Sequence, residues 1–158
     1  MRPPESLVKY LQEHRIEAEF LVLPSGTRTV EQAAAALDVA PERIVKSLLF
    51  IVQDKPVLVI ASGTGRVDTT RLAAHFNSIP SEVRLADAEQ VLQITGYEIG
   101  SVPPVGYDSG LYTLLDPSVL VFDEVYAGGG VHDRLLRLSP ESIIQDCQAR
   151  VLDLQSSH

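Results

Sequence analysis

Lysine is scarce in this 158-residue chain: of 13 basic residues only Lys9, Lys46 and Lys55 are lysines. Lys46 stands inside the apolar run Ile44–Val52, IVKSLLFIV. A lysine in such a run either snorkels to the rim of a pocket or lies on the wet end of a strand. In a pocket, burial and a partner would decide its charge. The pattern leaves both open. The second candidate is the segment Gly96-Tyr97-Glu98-Ile99-Gly100-Ser101-Val102-Pro103-Pro104-Val105-Gly106. Its glycines let a ligand approach bare backbone, and its prolines fix the loop's shape. Fixed N–H groups there could hold a carbonyl or a developing oxyanion. Composition alone favours a structural loop.

The remaining chemistry-bearing residues are less suggestive. Gly128-Gly129-Gly130 has the same two readings, and no Gly-Lys-Ser/Thr follows it, which excludes a phosphate loop. His14, His75, His132 and His158 make no metal-ligand spacing, so no metal is expected. His132, just after the glycine triplet, is the one histidine placed near a pocket, although a surface position is the favoured reading. Ser62, Ser101 and Ser109 lack a G-x-S-x-G context for a serine triad. Cys147 stands beside Ile143 and Ile144 and reads as packing rather than as a nucleophile. Asp123-Glu124 reads as a solvated turn.

The elements that must position these residues follow from periodicity and caps. A helix is expected over Ser6–Arg15 and a strand over Glu19–Leu23, closed by a turn at Pro24-Ser25-Gly26. Thr29 followed by Gln32 has the capping-box pattern and opens the helix Val30–Leu37. Pro41 suits the first turn of a short helix. Ile44–Val52 and Val57–Ala61, flanking Gln53-Asp54-Lys55-Pro56, suggest a buried β-hairpin. Asp68 caps a helix to Phe76, and Asp87 begins another through Leu92. After the loop Thr95–Gly110, strands are expected at Leu111–Leu115, Val119–Tyr126 and Leu135–Leu138. Ser139-Pro140-Glu141 opens a last helix, and Val151–Leu154 is a closing strand. Helices and short strands intermix without regular βαβ alternation. That favours an α+β domain with a mixed, curved sheet and helices around it over a doubly wound fold.

Composition agrees with one domain spanning 1–158. Hydrophobic residues make up 45% and charged residues 22%, so the chain can bury a core. One cysteine excludes an internal disulfide and fits a reducing compartment. No apolar run reaches the ~18–20 residues that span a bilayer, and the N-terminus lacks a signal-peptide apolar stretch. A cytoplasmic protein without a membrane partner is expected. The net charge of -8 argues against DNA or other non-specific nucleic-acid binding, which depends on basic side chains. It leaves room for a nucleic-acid end entering a pocket through a few contacts.

The segments together resemble the YbaK/ProX family, aminoacyl-tRNA editing domains related to the insertion domain of bacterial prolyl-tRNA synthetases. The resemblance is carried by Thr29–Ala34, Arg43–Phe50, Arg66-Val67-Asp68 with Leu72-Ala73, Ala86-Asp87, and Thr95-Gly96-Tyr97. Gly100 to Pro104 fits the family's G-x-x-x-P motif; Asp116, Gly128–Gly130 and Leu138-Ser139-Pro140 complete the run, over about residues 5–153. Pro103 stands where the family commonly has serine, and Arg71 where it often has a second lysine. The resemblance implies a partly barrel-like sheet. It also implies a deacylase that removes a small amino acid, such as cysteine or alanine, from mischarged tRNA, with tRNA(Pro) the expected carrier. No cofactor is implied, and the terminal ribose hydroxyl would help activate water. The partners would be the aminoacyl-tRNA 3′ end and prolyl-tRNA synthetase. Lys46 and Gly100 would carry the chemistry. Ser101, Val102, Pro103, Pro104, Gly106, Gly129, Gly130, Leu48, Phe50 and His132 would contact substrate, with Ile60 in the pocket wall. The alternative is a non-catalytic tRNA- or synthetase-binding module on the same fold.

Overall fold

The computed structural model describes residues 2–24, 27, 29–107 and 110–155. Ser25, Gly26, Ser109 and His158 lie outside them. Five helices and two sheets make one α+β unit. In chain order they are α1 (Pro4–Glu13), β1 (Ala18–Val22), α2 (Val30–Leu37), β2 (Val45–Val52), β3 (Lys55–Ser62), α3 (Thr69–His75) and β4 (Val83–Leu85). Then come α4 (Ala88–Thr95), β5 (Thr113–Leu115), β6 (Val125–Gly128), β7 (Arg134–Leu138), α5 (Pro140–Cys147) and β8 (Arg150–Val151). Short 3₁₀ turns occupy Pro41–Arg43, Pro80–Glu82 and Pro117–Val121.

The expected caps form. The Thr29 side chain accepts from the Gln32 amide and the Gln32 side chain accepts from the Thr29 amide, closing the box in both directions. Asp68, Asp87 and Ser139 each accept an amide from the first turn of the helix they precede. These contacts satisfy donors that a helix start would otherwise leave bare. The hairpin also forms, but tighter than the four-residue turn expected. Gln53 (φ 51°) and Asp54 (φ 66°) make the connection, and Val52 already pairs with Lys55.

The curved sheet is split in two and does not close into a barrel. One sheet has three antiparallel strands in the order β1-β7-β6; the other has five in the order β4-β2-β3-β5-β8. A single parallel bridge, Ile44 with Tyr126, joins β6 to the start of β2. Three apolar clusters fill the space. The largest joins α1, one face of β2 and the loop around Val102 and Val105; the second packs α3 on the other face of the β2–β3 hairpin; the third lies under α2.

The strand expected over Val119–Tyr126 is corrected: its first half is the 3₁₀ turn Pro117–Val121, and only Val125–Gly128 is strand. The cause is local. Asp116 accepts the Ser118 amide at 2.9 Å, and Pro117 has a ring-fixed φ suited to a helical first turn. The closing strand is likewise only two residues. Beyond it, the Leu154 and Gln155 amides bond to Asp116 Oδ1 at 2.7 and 3.2 Å instead of to a neighbouring strand. Asp116 is thus buried and bound by three backbone amides. Replacing it with alanine orphans those donors. Asp116→Ala should lower the unfolding free energy by roughly 3 kcal/mol, since each lost partner of a buried group costs ~1–3 kcal/mol without full additivity. Urea denaturation followed by circular dichroism checks this; a loss below half of that figure would remove Asp116 as an anchor.

Candidate active site

The site arises from a mismatch along one edge of β2. On that edge β4 pairs with Phe50–Val52, and β6 touches only at Ile44. No strand pairs with residues 46–48 there among the described residues. The Leu49 carbonyl accepts the Ala86 amide at 2.9 Å, so the odd-numbered residues of β2 aim their peptide groups at this edge. The peptide groups of Ser47 therefore face the gap. A cavity of about 270 Å³ fills it. That is near the small end of ligand pockets, which run ~300–1,000 Å³.

The cavity floor is β2 from Val45 to Leu49. Val30 and Ala33 of α2, Ala86 and Val91 around the start of α4, and Leu135 of β7 supply apolar walls. Gly100, Val102 and Gly128 bring backbone to it. Only three of its residues have polar side chains: Thr29, Lys46 and Ser47. Leu85 and Ile99 stand at 56% and 52% exposure and give the opening an apolar rim.

Lys46 and Gly100 line the same cavity, as does Leu48. The ammonium does not face the Gly100–Pro104 loop, however. Alternation along β2 sends Lys46 to the face shared with Leu48 and Phe50, where its Nζ donates to the Gly65 carbonyl at 2.7 Å. Partial burial, and secondarily the charge of Arg66, hold its pKa below the ordinary lysine value. Lys46 therefore brings a positive charge to the cavity, with the charge of Arg66 near enough to act on it.

Gly100 has φ +89°, a conformation that a side chain disfavours, while a Cβ built on it meets nothing within 4 Å. The glycine is there for backbone angle and leaves open space in front of it. The amides of Gly100 and Val102 donate to no described group, although Val102 is buried. Buried amides are nearly always paired, so these two donors on a cavity wall suit an incoming carbonyl. Gly128 fixes the wall from behind: a Cβ on it would lie 2.3 Å from the Val102 carbonyl oxygen.

The other expected contacts fall outside the lining. Ser101, Pro103, Pro104 and Gly106 belong to a buried segment packed into the core. The Ser101 amide and hydroxyl both donate to the Glu98 carbonyl, and Tyr107 Oη donates to the Pro103 carbonyl at 2.6 Å. These residues brace the loop that presents Gly100 and Val102. Phe50 and Ile60 are core side chains, Phe50 against the α3 cluster because alternation along β2 turns it to that face. The Gly130 amide ties the 129–130 turn to the Ser101 carbonyl at 2.9 Å. His132, 64% exposed at its side chain, sits 2.6 Å from Glu98 and links that turn to the same loop. Ser47 was not singled out from the sequence. Its signal is a second polar residue interrupting the apolar run beside Lys46.

Among the described residues no three His, Cys, Asp or Glu side chains gather as a metal site, and no helix is long and apolar enough to cross a membrane. Cys147 lies away from the cavity in α5, its Sγ 2.9 Å from the Ile143 carbonyl. Burial, reinforced by Asp146, pushes its thiol up to about 11.

Known proteins are similar to this chain in sequence and fold. Residues 24–145 match the aminoacyl-tRNA editing domain, and the chain belongs to that family. The uncharacterized protein YwhH of Bacillus subtilis is 32% identical over 120 residues, covering 75% of this chain and 74% of its own length. A proline–tRNA ligase of Lactobacillus gasseri is 34% identical over 112 residues, 71% of this chain but only 20% of the ligase. The chain thus spans about a fifth of that enzyme. The crystal structure of a candidate trans-editing enzyme for prolyl tRNA synthetase superposes with a TM-score of 0.87 at 31% identity, covering 99% of both chains.

Because only the thiolate is an efficient nucleophile, Cys147 should be nearly inert at neutral pH. Its alkylation by iodoacetamide in the folded protein should climb as the pH approaches about 11, where the thiol ionises. Fast, pH-independent labelling near pH 7 would restore it as a reactive group.

Proposed function

We propose that the chain hydrolyses the ester linking a small, wrongly attached amino acid to the 3′ end of a tRNA. The observation that carries this is the pairing, in one apolar cavity, of unspent backbone donors at Gly100 and Val102 with the cation Lys46, on which the charge of Arg66 also acts. The family membership and the trans-editing neighbour support the same reading.

An aminoacyl ester is already activated, so the reaction needs oriented water and stabilisation of the developing oxyanion more than a strong nucleophile. The Gly100 and Val102 amides would hold the carbonyl oxygen. Lys46 and Arg66 would hold the terminal phosphates and bring the ribose to the cavity mouth, with Leu85 and Ile99 packing against the adenosine. Water adds to the carbonyl carbon and the ribose–acyl bond breaks. The amino acid leaves, and a proton derived from water ends on the ribose oxygen. The terminal ribose hydroxyl would position that water, in keeping with the lack of a side-chain base in the cavity. The apolar walls of this small cavity would favour a small side chain over a bulky one. Cysteine, alanine or serine on tRNA(Pro) is the expected substrate set, with prolyl-tRNA synthetase the expected source of the error. A synthetase pocket discriminates poorly against such amino acids, since one methylene is worth only ~1–3 kcal/mol.

Deacylation of a panel of mischarged tRNAs tests the reading. Cys-, Ala- and Ser-tRNA(Pro) should be cleared and a phenylalanyl ester spared. Clearance of none of them would leave the non-catalytic binding module as the function.

Two substitutions sharpen it. Lys46→Ala should reduce the deacylation rate by roughly 100-fold, with little change in thermal stability, since it removes one half-exposed hydrogen bond. Because the pKa of Lys46 is lowered, its positive charge is lost at a lower pH than an ordinary lysine's. The rate above spontaneous hydrolysis should therefore decline on the alkaline side of neutrality, and Lys46→Arg should move that decline to higher pH. A profile identical in wild type and Lys46→Arg would remove the ammonium from the mechanism. Gly100→Ala should strain the backbone by about 1–2 kcal/mol and displace the two amides. The rate should fall at least tenfold while the melting temperature drops only a few degrees. Parallel losses would mean that the loop serves the fold alone.

A further inference from the structure

We infer that Ser47, on the uncovered stretch of the β2 edge, is the residue that reads the amino-acid side chain, and that it favours a hydroxyl-bearing aminoacyl group such as seryl over alanyl. The inference rests on the editing reading above and deepens it.

The Ser47 Oγ is buried and has no hydrogen-bond partner among the described residues. It is alone in this among the three polar side chains of the cavity. The Thr29 hydroxyl accepts the Gln32 amide at 3.0 Å, and the Lys46 ammonium donates to the Gly65 carbonyl at 2.7 Å. A buried hydroxyl without a partner is unfavourable, and alanine would fill the same place without that penalty. A ligand that brings its own hydrogen-bonding group accounts for the hydroxyl.

The placement fits the direction in which a substrate would lie. Ser47 alternates with Lys46, so it projects to the face of β2 shared with Val45 and Leu49, whose cluster includes Val91 and Val102. That is the face on which the Gly100–Val102 loop stands. An ester whose carbonyl is held by that loop, and whose phosphates reach toward Lys46 and Arg66 on the other face, directs its amino-acid end at Ser47. As placed the Oγ is closed off from solvent, and one staggered step of χ1 would turn it toward the open cavity. The hydroxyl can both donate and accept, so it pairs with a seryl hydroxyl and gains nothing from an alanyl methyl. The peptide carbonyl of Ser47, on the uncovered edge, is placed to accept the substrate's α-ammonium. A site built to hydrogen-bond a side chain discriminates against the analogue lacking it more sharply than a size filter does.

The test uses 3′-amino-3′-deoxyadenosine carrying serine or alanine in a non-hydrolysable amide linkage. Affinities are measured calorimetrically for the full chain, wild type, Ser47→Ala and Ser47→Thr. In wild type the seryl compound should bind roughly tenfold tighter than the alanyl one. Ser47→Ala should bring the ratio to about one without weakening the alanyl compound or lowering the melting temperature, while Ser47→Thr, which keeps the hydroxyl, should retain the preference. Equal binding of the two compounds to wild type, or a ratio unchanged in Ser47→Ala, overturns the inference. The wild-type and Ser47→Thr measurements decide it even where the alanine variant fails to fold. Seryl-selective binding without hydrolysis of any mischarged tRNA would overturn the deacylase reading and leave this inference standing. Hydrolysis with no seryl–alanyl discrimination in binding would do the reverse.

Discussion

A strand edge inside a protein must be paired, covered or left for something to bind, because backbone N–H and C=O groups are costly to bury alone. The β2 edge meets this constraint in two unequal ways. Its far end is paired by β4 and its near end is touched by β6 at Ile44, and these neighbours come from opposite sides of the chain's topology. They diverge across residues 46–48, and the cavity is the result of that divergence. The rest of the site depends on it: the floor comes from β2, one wall from the β4–α4 junction, another from the end of β6, and the loop at Gly100 closes the gap.

The loop itself is a rigid presenter. Ser101, Pro103 and Tyr107 spend their hydrogen bonds within the buried segment, and Gly130 and His132 hold it from the neighbouring turn. The Gly100 and Val102 amides donate to no described group and stand at the cavity. Pro103, which cannot donate, contributes its carbonyl, which accepts from Tyr107 Oη. Pre-organised donors of this kind need no rearrangement as charge develops, which is where such sites derive their effect.

The sequence made the local features legible. Caps at Thr29, Asp68, Asp87 and Ser139 and the β2–β3 hairpin depend on residues close in the chain, and their patterns foretold them. Lys46 and Gly100 stood out because a lysine in an apolar run and a glycine–proline loop are locally anomalous. Non-local features stayed hidden. Nothing in Val125–Gly128 indicates that it meets Ile44, so the split of one expected sheet into two was not visible. Nor was the direction of Lys46, which follows from the parity of β2 against its neighbours. The 3₁₀ turn after Asp116 was readable in principle from Asp-Pro-Ser, but the apolar residues beyond it mimic a strand. Ser47 was overshadowed by the lysine beside it.

The central claim is that substrate occupies the gap along the β2 edge. Backbone amide NMR of the ¹⁵N-labelled chain, titrated with an acceptor-stem minihelix carrying an amide-linked amino acid, addresses it directly. The account predicts that the largest shifts fall on Lys46, Ser47, Gly100 and Val102, with smaller ones at Arg66. Another cleft of about 380 Å³, between Phe76, Tyr107 and Tyr112, should stay silent. Shifts concentrated at that cleft, with the β2 edge and Gly100 unmoved, would contradict the account.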